Sequence, residues 1–156
     1  MEQLPFSFNS ENVTVLFDSD IFGFSKNYLY KSLYKKKNMF FLVFVEGMKP
    51  IGFYVNSLFL DEWFHVDSFS IIEFVDQSNF ICHTHKSICD TLLFNKRNKF
   101  IFGVHGLFGL KVTKRFSSNI ITWDNERMKS EYPTVDFFKP TTKYPVVRLL
   151  VLLQNE

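Results

Sequence analysis

The run Met39-Phe40-Phe41-Leu42-Val43-Phe44-Val45 is apolar at every position and rich in aromatic and β-branched residues, so it reads as a central strand covered on both faces. It is far shorter than the ~20 apolar residues needed to cross a bilayer, and no other run approaches that length. Just beyond it, Glu46-Gly47-Met48-Lys49-Pro50 supplies turn chemistry and Ile51 to Asn56 returns as a second strand, a hairpin. Working toward the N-terminus, Val13, Val15 and Phe17 alternate with Thr14, Leu16 and Asp18 as a strand with a buried face does. The pattern breaks from Asp18 to Gly23. Ser25 is then placed to cap a helix carrying Tyr28, Leu29, Ser32 and Leu33 on one side, and Lys26, Lys31, Lys35 and Lys36 on the remaining surface. This is the only helix the sequence predicts.

Working toward the C-terminus, a loop around Leu60 to Glu62 precedes a strand pair, Ser68 to Val75 and Phe80 to His85, joined by Asp76-Gln77-Ser78-Asn79. Lys99 to Val104, Leu107 to Thr113 and Tyr144 to Leu153 are further strands, with a polar loop from Lys114 to Pro140. Many short strands and little helical pattern predict an α+β, mostly β protein with an antiparallel sandwich or barrel-like core.

Composition agrees. A chain of 156 residues that is 46% hydrophobic and 19% aromatic can bury roughly 70% of its unfolded surface in one core, without metal or disulfide. A formal charge of +2 leaves no global field to hold nucleic acid or an anionic membrane. Met1 to Ser10 lacks the basic start and apolar stretch of a secretion signal, which predicts a cytoplasmic protein with Cys82 and Cys89 as reduced thiols. Alanine is absent, and Phe, Asn, Lys and Ile are heavily used. That usage fits an AT-rich genome and says nothing of function.

Candidate chemistry is sparse. Cys82-His83-Thr84-His85 with Cys89 suggests zinc, but along a strand Cys82 and Thr84 face one side while His83 and His85 face the other, which suits no single tetrahedral centre. The expectation is a buried Cys82, solvent-facing histidines and no stoichiometric zinc by elemental analysis; one metal ion per chain would overturn it. His65, Asp67 and His105, with nearby serines, supply the residue types of a hydrolase, yet there is no Gly-x-Ser-x-Gly elbow, P-loop or His-Glu-x-x-His. Lys35-Lys36-Lys37 beside Tyr28, Tyr30 and Tyr34 is the alternative of a weak nucleic-acid-binding patch, against a plain solvated helix end.

Thr14-Val15-Leu16-Phe17-Asp18-Ser19-Asp20-Ile21-Phe22-Gly23-Phe24-Ser25 resembles the opening of the TLDc domain, in which a strand and a Ser-containing loop lead to Gly-Phe-Ser and a helix. The pieces continue in order: Met39 to Val45, then Ile51-Gly52-Phe53-Tyr54, similar to the family's Gly-Gly-Tyr strand, then Trp63 and Asp67-Ser68-Phe69-Ser70-Ile71. Gly106 to Val112 and Val147 to Leu153 resemble the last motif strands, although Ile51, Gly109 and Leu150 replace a usual Gly, Asp and Glu. The resemblance implies one domain over residues 1–156, a two-sheet antiparallel β-sandwich flanked by a few helices. It also implies a non-enzymatic protein-interaction role tied to oxidative-stress protection and the vacuolar proton-pumping ATPase, with no cofactor. Its matching positions are Gly23, Phe24, Ser25, Gly52, Phe53, Trp63, Asp67, Ser68 and Gly106, all in structural roles. Losing the Ser25 cap is expected to cost about 1 kcal/mol, and Phe24→Ala about 3 to 5 kcal/mol if Phe24 is buried.

Overall fold

The computed structural model describes residues 12–47, 49–60, 63–65, 69–75, 80–85, 91–93, 100–104, 108–112, 119–123 and 143–155. The chain opens with β1 (Val13–Asp18), a one-turn helix α1 (Ser19–Phe22) and α2 (Lys26–Leu33), followed by β2 (Met39–Val45) and β3 (Ile51–Val55). Then come β4 (Trp63–His65), β5 (Phe69–Phe74), β6 (Phe80–His85), β7 (Thr91–Leu93), β8 (Phe100–Val104), β9 (Phe108–Val112), β10 (Asn119–Trp123) and β11 (Lys143–Gln154). The protein is mostly β, with every strand pairing among the described residues antiparallel.

The hydrogen-bonded order is β4-β7-β8-β9-β10-β11-β2-β3-β5-β6, with β1 added on β11. The twelve residues of β11 make it the hub of this order. One edge of β11 pairs with β2 from Val146 to Leu153. The opposite edge is divided: β10 takes Lys143 to Val146 and β1 takes Leu150 to Gln154.

Two irregularities set the side-chain phase. The β11–β2 register shifts between Val146 and Arg148, which leaves Val147 exposed as the extra residue. Tyr144 and Val146 before the bulge, and Leu149 and Val151 after it, therefore share one apolar cluster, while Arg148, Leu150 and Leu152 face the other side. In β1 a shift between Val15 and Phe17 does the same, sending Phe17 to the first cluster and Asp18 to the second side, opposite Leu150.

Strand β2 is covered on both faces, as its unbroken apolar run predicts: Met39, Phe41, Val43 and Val45 join the cluster under α2, and Leu42 joins the one opposite. Helix α2 adds Leu29 and Leu33 to the first cluster, and Tyr30 meets the buried Phe59 edge-on at 5.2 Å.

Several expectations need correction. Tyr28 does not pack inward beside Leu29 but is exposed, because the α2 stripe centres on Leu29 and Leu33. The helix ends at Leu33, so Lys35 and Lys36 lie beyond it and only Lys31 sits in its last turn. A second helix, α1, occupies the Asp18-to-Gly23 break because Asp18 caps it. Strands β4 and β10 arise where the sequence reads as loop or polar stretch, and β7 where it assigns no element. Three to five residues carry too little periodicity to register, and these strands are made by pairing with neighbours.

Ser25 caps α2 as predicted, accepting the Tyr28 amide hydrogen over 3.4 Å. Phe24 is only half-buried against the core. Its truncation is accordingly expected to cost about 2 kcal/mol, below the fully buried range, and Ser25→Ala less than about 1 kcal/mol given the long bond. Urea denaturation of both variants checks the ranking; a Phe24→Ala midpoint equal to wild type overturns the anchoring role.

Candidate functional site

The β1–α1–α2 corner is held by charge on the inside and exposes apolar groups on the outside. Asp18 ends β1 in an extended conformation, and its Oδ1 accepts the Asp20 amide hydrogen at 3.0 Å, starting α1. From β11, Arg148 donates through Nε to Asp18 Oδ1 at 3.0 Å and through Nη2 to Oδ2 at 2.7 Å, a two-pronged pair. Arg148 Nε also lies 3.3 Å from Asp20 Oδ2, and the guanidinium carbon sits 5.4 Å from the Phe44 ring centre. Burial opposes ionisation of Asp18, but the Arg148 hydrogen bonds, the Asp20 amide and the Arg148 charge together outweigh it, holding the carboxyl below its ordinary value of 3.8.

Ser19 completes the lock. Its Oγ accepts the Leu149 amide hydrogen at 2.8 Å, at the point on β11 where neither β1 nor β10 pairs. One buried hydroxyl thus satisfies an edge amide that the divided strand leaves open.

Above this lock the chain turns at Gly23, whose φ of +66° is in the left-handed region glycine tolerates, and whose amide donates to Ser19 O at 2.8 Å. The outer surface is apolar. Ile21 is 71% exposed, and Phe22 stacks between Phe17 at 6.0 Å and Tyr28 at 5.5 Å, so Ile21, Phe22 and Tyr28 form a shoulder that water touches.

Of the other family-motif positions, three lie among the described residues. Gly52 lies between Leu42 and Ile72 in the sheet, and Phe53 is buried in the core. Trp63 is the first residue of β4. Asp67, Ser68 and Gly106 lie outside the described residues, as do His105 and Cys89 from the hydrolase and zinc readings.

The expected placement of Cys82 and His83 is reversed, and the His85 side chain lies outside the described residues. Cys82 is exposed, while the partly buried His83 has its Nε2 shielded from water, 4.0 Å from Glu73 Oε1 and without a hydrogen-bond partner among the described groups. In the register His83 opposes Ile71 and Cys82 opposes Ile72, so the two side chains lie on opposite faces of the sheet. Burial of its sulfur nevertheless raises the Cys82 thiol above its ordinary value, which keeps it protonated and a poor nucleophile near neutral pH. No cluster of metal-ligating side chains occurs among the described residues.

Sequence reasoning missed Arg148 and Asp18 as a unit, since they are 130 residues apart. A lone Arg inside the otherwise apolar run from Val146 to Leu153 was the available signal, because a charge on a buried strand requires a partner. No family model and no curated protein matches the chain.

Proposed function

We propose that the chain is a non-enzymatic protein-interaction module of TLDc type, acting in the cytoplasm in oxidative-stress protection through contact with the vacuolar proton-pumping ATPase. The observation that carries this reading is the exposure of Ile21 and of the stacked Phe22–Tyr28 rings on a base fastened by Asp18, Ser19 and Arg148. A preorganised apolar patch loses little entropy on docking, and such patches mark protein contacts. The ordered motif pieces support the family, and the Gly23-Phe24-Ser25 junction has the turn, anchor and cap its residues call for. The proposed two-sheet sandwich draws support from the divided outer edge of β11, where β1 and β10 pair with different halves of the strand.

The test is a pull-down from cell extract with the immobilised chain, wild type against an Ile21→Asp/Tyr28→Asp variant. Both side chains are exposed, so the variant should stay folded and lose no more than about 1 kcal/mol with the Phe22–Tyr28 ring contact. Subunits of the proton pump should be recovered by the wild type and lost with the variant. Repeated recovery of no pump subunit by the wild type overturns the assignment.

A further inference from the structure

The loop after α2 holds three consecutive lysines over an open cleft. Lys35, Lys36, Lys37 and Asn38 line one wall, and Leu153, Gln154 and Asn155 at the end of β11 line the other, around about 220 Å³ of space. The loop is pinned. Lys35 N donates to Phe59 O and Phe59 N donates to Lys36 O, each at 2.8 Å, and Phe59 is fully buried. Left-handed backbone at Lys35 (φ 62°) and Asn38 (φ 58°) bends the segment, and Gln154 N donates to Asn38 O at 2.9 Å to tie it to β11. The amides are oriented too: Tyr54 Oη donates to Gln154 Oε1 at 3.0 Å, which leaves the Gln154 amide nitrogen as a donor, and Thr14 Oγ1 donates to Asn155 Oδ1 at 2.8 Å. None of the described lining residues is acidic.

We propose that this cleft is a binding site for a compact ligand bearing clustered phosphoryl groups. Lysine and amide-bearing residues line a space large enough for a few phosphoryl groups, with the Lys35 ammonium 5.6 Å from the Tyr34 ring centre, and the scaffold that carries them is hydrogen-bonded in place before a ligand arrives. A nucleic-acid strand suits the cleft less well, since it needs an extended basic groove with a series of stacking rings. Here the cations are confined to one short loop in a chain of formal charge +2. The same chemistry is offered by a free inositol polyphosphate or by a phosphoinositide headgroup. Tyr34, Leu58 and Leu60, exposed in the segments that carry and pair with the loop, would meet the membrane surface in the second case.

The experiment uses the full chain and two variants: Lys36→Gln/Lys37→Gln in the cleft, and Lys26→Gln/Lys49→Gln, which removes the same charge elsewhere. Circular dichroism first establishes that both variants fold. Calorimetry with inositol hexakisphosphate reads the free source. Co-sedimentation with phosphatidylcholine vesicles containing phosphatidylinositol bisphosphate, against charge-matched phosphatidylserine vesicles, reads the lipid source. The cleft variant should weaken binding at least about tenfold, and the control variant less than about twofold. Binding in either arm with that dependence supports the site and identifies its source. Absence of binding in both arms, equal loss in both variants, or tighter binding of a single-stranded RNA oligonucleotide than of inositol hexakisphosphate overturns it.

Discussion

Arg148→Ala is expected to destabilise the protein by about 3 kcal/mol or more at neutral pH. The substitution leaves the Asp18 carboxylate, whose side chain is 9% exposed, without the cation that offsets its burial. The wild-type pair also carries a pH signature. The folded pKa of Asp18 is depressed, so its stabilisation is fully present above the unfolded value of 3.8 and is lost as pH falls through the lower folded value. In Arg148→Ala burial is opposed by the Asp20 amide but no longer by the guanidinium, so the pKa rises and the carboxyl takes up a proton earlier. The deficit against wild type should therefore be largest at neutral pH and shrink toward pH 4. An Asp18→Asn/Arg148→Met variant removes both charges, retains a cap for α1 and keeps an apolar side chain over Phe44, and should recover most of the loss. Chemical denaturation across the pH range measures all three proteins; a loss in Arg148→Ala that does not vary with pH would show that the ion pair is not its source.

Gly52→Val should cost about 3 kcal/mol, near the upper end of what overpacking does, and Gly52→Ala a smaller but still unfavourable amount. A Cβ at this position would lie 2.8 Å from Ile72 Cβ and 3.2 Å from Leu42 Cδ2. Both neighbours are fully buried on the adjacent strands, and an Ile Cβ cannot swing aside without moving its backbone. Strands β2, β3 and β5 would have to part locally. Glycine within a strand is ordinarily the weaker residue, so a site without this crowding would gain stability from alanine. The sign of Gly52→Ala in a urea titration is thus decisive, and a stabilised variant would refute the close approach.

Close approach also explains how much of the site was legible. Gly52 sits in a run whose strand character is plain, but which strand presses on it depends on β3 pairing with β5 across the loop that contains β4. Ser25 was readable because a cap acts on an amide three residues away. Arg148 was not, because its partner is set by a bulge at Val147 and by β1 docking on β11. The Lys35-Lys36-Lys37 run was visible as charge. That it walls a cleft follows from its backbone bonds to Phe59 and Asn38's bond to Gln154, which no local pattern announces.

What the sequence determined alone was therefore everything decided within one or two turns of chain: β2 as a two-faced strand, its hairpin with β3, the capped α2 and the predominance of β structure. Strand order, the division of β11 between β1 and β10, the exposure of Tyr28 and the inward turn of His83 were decided only by tertiary structure. The physical reason is range. Periodicity and capping are local energies written into neighbouring residues, whereas register, bulges and burial depend on which distant strand closes the ladder and which face it then covers.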